Sequence, residues 1–246
     1  MKEYDASIVI PARNEDANIA TTLKLLEELQ NIVVEILIVV DSKSDTTLNS
    51  FNELSRKPAS AKVLVQNYGP GPANAIRYGI ANASSECVVV LMADGSDDIR
   101  SIPDLVALVK RGVVIACASR YMPGGQQIGG PRIKRFLSRY ASKALYHLAG
   151  VGTRDSTNSF KAYSKKFIED VGIESLSGFE MGIEMVAKAR GLRLPVAEVP
   201  TIWLDRTLGT SNFQLTKWLP KYLKWFLICF RNSSMKPKAD MRENRT

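Results

Sequence analysis

The chain has a single histidine, His147, and only three cysteines, Cys87, Cys117 and Cys229, in 246 residues. With one imidazole available, no His/Cys metal cluster can form, and His147, set in ALYHLAG, reads as a packed or capping residue. The cysteines lie far apart in apolar contexts (ECVVVL, IACAS, LICF), which is the pattern of buried thiols in a reducing compartment and excludes a disulfide scaffold. Long apolar runs are also missing. The most apolar segment, FQLTKWLPKYLKWFLICF at 213–230, is broken by Lys217, Pro220, Lys221 and Lys224. A membrane span needs about 20 mostly apolar residues, so this one cannot cross a bilayer. Nothing near the start reads as a signal peptide. Finally, acidic residues vanish between Leu105 and Arg154, where nine basic ones stand: Lys110, Arg111, Arg120, Arg132, Lys134, Arg135, Arg139, Lys143 and Arg154. The middle of the chain is built to meet an anion.

What is present is an alternation of short β-rich runs and helical patterns. Strands are expected at Ser7–Ile10, Glu35–Val40, Lys62–Gln66, Cys87–Met92, Val113–Ser119 and Pro195–Thr201. Helices are expected near 15–30, 46–56, 73–83, 101–110, 132–148, 180–190 and 213–230. That order predicts one α/β domain, residues 1–232, with a mostly parallel, helix-covered sheet, followed by a basic, unordered tail at 233–246. Asp41 and Asp94 each follow a strand, which places both on the carboxyl edge where open α/β sheets bind ligands.

The apolar run CVVVLM ends in ADGSDD, so three aspartates, Asp94, Asp97 and Asp98, crowd one strand end. Like charges that close repel, and a cation or a ligand carrying one would relieve them. A hard divalent ion takes oxygen ligands and, beside a diphosphate, needs only one or two protein carboxylates. Asp97 and Asp98 could instead open the helix at 101–110 as dipole-favoured acids, and the sequence leaves both readings open. The segment NYGPGPANAIRYG at 67–79 follows a strand as a dinucleotide fingerprint would. It has Asn74 where the third glycine belongs and lacks the acid usually found beyond it, which argues against a Rossmann dehydrogenase. The basic residues are not interleaved with aromatics in any nucleic-acid-binding signature, so nucleic acid is not an expected partner.

Seven segments occur in one order: SIVIPARNE, EILIVVDSKSDTT, ANAIRYG, VVVLMADGSDD, ASRYMPGG, DSTNSFKAYSKK and DRTLGTSNF. In this order the chain resembles family 2 glycosyltransferases of the GT-A type, and most closely the branch of dolichol-phosphate mannose synthases and polyprenyl-phosphate sugar synthases, over about residues 5–230. The resemblance implies a sugar-nucleotide site at Pro11, Arg13, Glu15, Asp41, Asp45 and Asp94, with Arg206 and Ser211 on the donor diphosphate. It implies a magnesium or manganese site on Asp94, with Ser96 and Asp97 as helpers, and an acceptor-phosphate site on Arg120, Lys134, Arg135, Ser138 and Arg139. Asp94, Arg120, Asp155 and Arg206 are then the catalytic candidates, Asp155 as a base or a sugar contact. Three departures stand out: Met92 replaces the first aspartate of the family's Asp-x-Asp, Ser42 and Lys43 follow Asp41, and Asn212 stands where lysine is usual.

The function implied is inverting transfer of a sugar, mannose or glucose, from a GDP- or UDP-sugar to polyprenyl or dolichyl phosphate. A phosphate monoester with a second pKa of about 6 is already largely ionised near neutrality and needs no base to attack. The alternatives are a hydroxyl acceptor or a non-catalytic sugar-nucleotide-binding protein. The helix at 213–230 reads either as an interfacial helix at the cytoplasmic face of a membrane or as a helix packed on the sheet with Trp218 and Trp225 inward. An integral membrane partner is a further expectation.

Overall fold

The computed structural model describes residues 3–176, 178–205 and 215–231, the last segment by backbone alone over 215–218. The expected tail at 233–246, together with Arg206, Ser211 and Asn212, lies outside the described residues.

The sheet grows from apolar, β-branched runs. β1 (Ala6–Ala12), β2 (Val34–Val40), β3 (Ala61–Val65), β4 (Cys87–Val90) and β5 (Ile115–Ser119) all form where the sequence predicts them. β8 (Val196–Pro200) does so too. Side chains alternate between two cores. Val9, Val39, Val88 and Val90 face helices α3 (Pro72–Ala81), α7 (Met181–Gly191) and α8 (Leu215–Phe230). Ile8, Ile10, Ile38 and Val89 face α1 (Asp16–Glu27), α2 (Thr46–Glu53) and α4 (Ile102–Lys110). Burial on both faces is what near-continuous apolar strands require. α3 lies so close to the sheet that a Cβ on Gly79 would sit 2.4 Å from Val9 Cγ1.

The seven-stranded sheet runs β3-β2-β1-β4-β7-β5-β8. β7 (Lys161–Ser164) is antiparallel to both β4 and β5, whereas the other pairings are parallel. Sequence periodicity does not reveal β7, the helix α6 (Lys165–Val171) that follows it, or a separate parallel pair of β6 (Gln126–Ile128) with β9 (Ile202–Leu204). These pieces are short, and the strands among them are defined by long-range partners rather than by local pattern. α5 (Arg132–Ala144) ends earlier than expected and continues as a π turn over Leu145–Ala149, closed by Gly150 with φ of 65°.

Candidate active site

Along one part of the sheet edge, the carboxyl ends of β1, β2 and β4 bring three segments together. Asn14, with φ of 55°, turns the chain after β1. Its backbone N–H donates to Asp45 Oδ1 at 3.0 Å, and the Glu15 N–H donates to Thr47 Oγ1 at 2.9 Å. Asp45 is buried and also caps α2, accepting from Thr47 N at 2.9 Å. Its carboxylate thus locks the first motif to the second. Glu15 accepts from Asn18 Nδ2 at 2.8 Å, Pro11 is buried within β1, and Arg13 is exposed. Asp41 accepts from Gln66 Nε2 at 2.7 Å and from Gly71 N at 3.2 Å. The glycine-containing segment after β3 therefore closes against Asp41.

After β4, Gly95 adopts φ of 69°, a left-handed turn that lets the Ser96 N–H donate back to Asp94 Oδ1 at 3.1 Å. Asp97 accepts from Met92 N at 3.2 Å. Burial, and next the charge of Asp94, push the Asp97 carboxyl up to about 7. Asp98 instead caps the turn at Ile99–Ser101 through Arg100 N at 3.1 Å and pairs with the Arg100 guanidinium at 2.7 Å. The structure divides the two acids left open by the sequence, with Asp98 as the cap and Asp97 facing the site. Among the described residues no three His, Cys, Asp or Glu side chains are grouped to hold a metal ion by themselves. Asp94, Asp97 and the Ser96 hydroxyl form a hard-oxygen set of the kind that fits a divalent cation when a bound diphosphate supplies further oxygens.

Farther along the sheet edge, Arg120 directly follows β5. Its guanidinium forks onto Asp155, with Nε to Oδ2 at 2.7 Å and Nη2 to Oδ1 at 2.9 Å, and its own N–H adds a bond to Oδ2 at 2.9 Å. Burial disfavours the Arg120 cation, but the Asp155 charge and hydrogen bonds outweigh it and drive its pKa up. Asp155 is fully buried. Both of its carboxylate oxygens accept from the Arg120 guanidinium, so in this geometry Asp155 positions Arg120. Beneath the pair, the buried Lys161 ammonium donates to the Ser156 carbonyl at 3.2 Å and to the Asn158 carbonyl, which fixes the loop after Asp155.

A cavity of about 320 Å³ joins the two sides. Asp94, Ser96, Asp97, Arg120, Lys134 and Ser138 supply its charged and polar walls; Leu137, Phe179, Leu219 and Tyr222 supply apolar and aromatic ones. α5 turns Lys134, Leu137, Ser138 and Ala141 to it, spacings of three and four that fall on one helical face. Arg135 and Arg139 do not line it, because each lies about 100° around the helix from Lys134 or Ser138. Arg139 is exposed and Arg135 half-buried. Ser138 bonds the Tyr121 hydroxyl, which also donates to Gln127 at 2.9 Å.

Further lining comes from Thr157, Asn158 and Ser159, inside the DSTNSF motif, from Asp205, which opens DRTLGTSNF, and from Trp203 just before it; the motifs mark these segments, but not which of their residues reach the cavity. A larger cavity of about 530 Å³ lies against the opposite side of the 95–100 segment, among Leu25, Leu29, Pro103, Ile202 and Leu204. Arg100 on its wall is paired with Asp98, and no second cation among the described residues lines it, whereas Lys134 lines the smaller cavity beside the paired Arg120. Arg206 and Ser211 lie outside the described residues.

The doubly wound sheet is the framework of the GT-A fold. Solved structures of glucosyl-3-phosphoglycerate synthase from Mycobacterium tuberculosis share that fold. One in complex with phosphoglyceric acid has a TM-score of 0.67 at 18% identity, covering 94% of this chain and 81% of that one. Another, in complex with Mn2+, UDP and glucosyl-3-phosphoglycerate, has a TM-score of 0.66 at 19% identity, covering 92% and 78%. Residues 7–172 match the family model "Glycosyl transferase family 2", and the chain belongs to that family. Curated relatives include a dolichol-phosphate mannosyltransferase of Pyrococcus furiosus, 29% identical over 89% of this chain and 64% of the relative. A polyprenol monophosphomannose synthase of Mycolicibacterium smegmatis is 28% identical over 83% of this chain and 79% of its own length. The chain thus spans just under two thirds of the first relative and about four fifths of the second.

Proposed function

We propose that this glycosyltransferase moves a hexose, mannose or glucose, from a GDP- or UDP-sugar to the phosphate of a polyprenyl or dolichyl phosphate. The observation that carries the reading is the composition of the cavity. Arg120 and Lys134 offer cationic hydrogen-bond donors suited to phosphate oxygens, while Leu137, Phe179 and Leu219 offer apolar wall suited to a hydrocarbon chain. The names of the curated relatives support the same acceptor class.

In the proposed step an ionised acceptor-phosphate oxygen attacks the anomeric carbon, the bond to the diphosphate breaks, and its electron pair leaves with the nucleoside diphosphate. The configuration inverts and no proton has to be removed. Arg120, held rigid by Asp155, orients the acceptor, and Arg206 and Ser211 are assigned to the donor diphosphate. Asp94 and Asp97, with Ser96, would hold the magnesium or manganese ion, which when bound neutralises charge on the diphosphate. Pro11, Arg13, Glu15, Asp41 and Asp45 are assigned to base and ribose, Asp45 through the loop it fixes. Arg135 and Arg139 are assigned to long-range attraction of the acceptor rather than contact.

We further place residues 1–232 in the catalytic domain, with 233–246 as a basic tail. We place the protein peripherally at the cytoplasmic face of a membrane, a setting that suits its free, buried cysteines. No helix among the described residues is long and apolar enough to cross a membrane.

The test is product formation from a panel of GDP- and UDP-sugars with polyprenyl phosphate, with and without magnesium or manganese, comparing wild type with Asp94→Ala. Lipid-linked sugar from one donor, lost in the variant, is expected. Transfer only to hydroxyl acceptors would overturn the reading and make Asp205, exposed on the cavity, the base to examine. Failure to bind any sugar nucleotide would instead indicate a non-catalytic protein.

A further inference from the structure

The segment NYGPGPANAIRYG, which fails as a dinucleotide fingerprint, has no part in the proposed transfer. In a phosphate-binding turn the backbone N–H groups point at the ligand. Here they point inward. Gly71, whose φ of 124° an L side chain rarely adopts, directs its N–H at Asp41 Oδ2 at 3.2 Å. The Tyr68 N–H donates to Gln66 Oε1 at 2.6 Å. The anion that this turn serves is therefore the protein's own Asp41.

Gln66 joins the two. Its side chain is buried, at 5% exposure. Nε2 donates to Asp41 Oδ1 at 2.7 Å and to the Gly69 carbonyl at 2.6 Å, while Oε1 takes the Tyr68 N–H. Two acceptors on one side and a donor on the other admit only this orientation of the amide. Strand and loop have other supports. The Gln66 backbone N–H reaches the Val40 carbonyl at 3.0 Å. Asn74 Nδ2 holds the Gly69 carbonyl at 3.1 Å, and Arg77 braces Asn74 Oδ1 at 3.2 Å and lies over the Tyr68 ring, 5.6 Å from its centroid. What the Gln66 side chain adds is a fixed setting for Asp41. A carboxylate offers about four lone-pair sites, of which Gln66 and Gly71 take one on each oxygen. On this half-buried side chain at the strand end, about one site per oxygen stays open among the described residues.

We propose that Gln66 is a positioning residue for recognition of the donor nucleobase. With the Gly71 N–H it sets Asp41 so that the remaining lone pairs accept from a ring N–H, guanine N1 or uracil N3. Adenine and cytosine, whose corresponding ring nitrogen is itself an acceptor, are refused. A site built to receive a hydrogen bond rejects an analogue that cannot make it, because its own polar group is left unpaired. The inference rests on the proposed assignment of Asp41 to the donor base and deepens it, naming the residue through which that base is selected.

The experiment is calorimetric titration of the full chain with GDP, UDP, ADP and CDP in the presence of manganese. Wild type is expected to bind GDP or UDP at least about tenfold more tightly than ADP and CDP. Gln66→Met, similar in volume and without a donor, should weaken the preferred nucleotide about tenfold and leave ADP and CDP nearly unchanged, so that the preference collapses. In transfer assays the loss should fall on donor KM, with kcat and acceptor KM nearly unchanged. Asn74→Ala releases the Gly69 carbonyl but removes neither bond to Asp41; it should lower the melting temperature and keep the base preference. Should Gln66→Met not fold, Gln66→Glu, of the same shape and with an acceptor-only carboxylate, carries the same reading. Three results would each overturn the inference and leave the proposed function standing: a wild type that binds all four nucleotides alike, a Gln66 variant with wild-type preference, or an Asn74→Ala variant that loses the preference as fully. Binding of none of the four would overturn both.

Discussion

The donor and acceptor parts of the sheet edge are held together in different ways. Along the aspartate-lined part, Asp94 and Asp97 are fixed by near neighbours in sequence, Ser96 two residues on and Met92 five residues back, and Asp45 caps α2 through Thr47, while Asp41 and Asp45 also accept single neutral bonds from Gln66, Gly71 and Asn14 farther away in the chain. Elsewhere on the edge Arg120, part-buried against the cavity, is fixed by the fully buried Asp155, 35 residues away. Local turns preorganise donor anions at small cost, and their loss is correspondingly small. The acceptor cation depends on the whole fold, and breaking its pair strands a charge in the interior.

The largest effect should come from that pair. Arg120→Ala leaves Asp155 buried and without its partner guanidinium and should cost about 3–5 kcal/mol in denaturant unfolding, with loss of transfer. Arg120→Met/Asp155→Leu should recover much of the stability and none of the activity. If the single variant is as stable as wild type, the contrast between the two sides fails.

Asp45→Ala is the matching donor-side change. As a lost helix cap it should cost about 1 kcal/mol, measured the same way. A cost equal to that of Arg120→Ala would erase the distinction.

Met92→Asp restores a second strand-end carboxylate beside Asp94. Manganese affinity in the presence of UDP should tighten about tenfold in calorimetry, as an added charged oxygen ligand predicts. Unchanged affinity would mean that Asp97 already fills that role.

Ser138→Ala removes a hydroxyl partner of Tyr121 on the cavity wall. At about 1 kcal/mol for one hydrogen bond, it should raise the acceptor KM about fivefold with little change in donor KM. An equal rise for both substrates would remove Ser138 from the acceptor side.

The smallest effect concerns acid stability. Glu35 is buried at the start of β2, where burial would raise its pKa, but Lys62, Ser84 and Ser7 outweigh this and hold it below its ordinary value. A depressed carboxylate contributes stability that is complete above its ordinary value and is lost as pH falls through the folded one. Glu35→Gln should flatten the fall in melting temperature below about pH 4.5. A variant with the wild-type slope would show that other carboxylates carry it.

Much of the fold and of the aspartate-lined edge is legible in the sequence because strand patterning and the residues that follow each strand are local signals. Alternating Ile and Val mark the strands, and Asp41 and Asp94 declare the carboxyl edge by following them. The acceptor site is legible only in composition. The acid-free stretch announces an anion, yet the stripe of arginines most visible in the sequence of α5 is the one that misses the cavity. Lys134 and Ser138 line it instead.

What the sequence alone determined is the layered α/β class, the aspartates at the strand ends and the basic middle, since periodicity and turn chemistry act over a few residues. The tertiary structure decided that β7 enters antiparallel between β4 and β5, that Asp155 pairs with Arg120, and which face of α5 meets the cavity. Each of these depends on groups far apart in the chain, and their contacts exist only once the sheet has closed and excluded water.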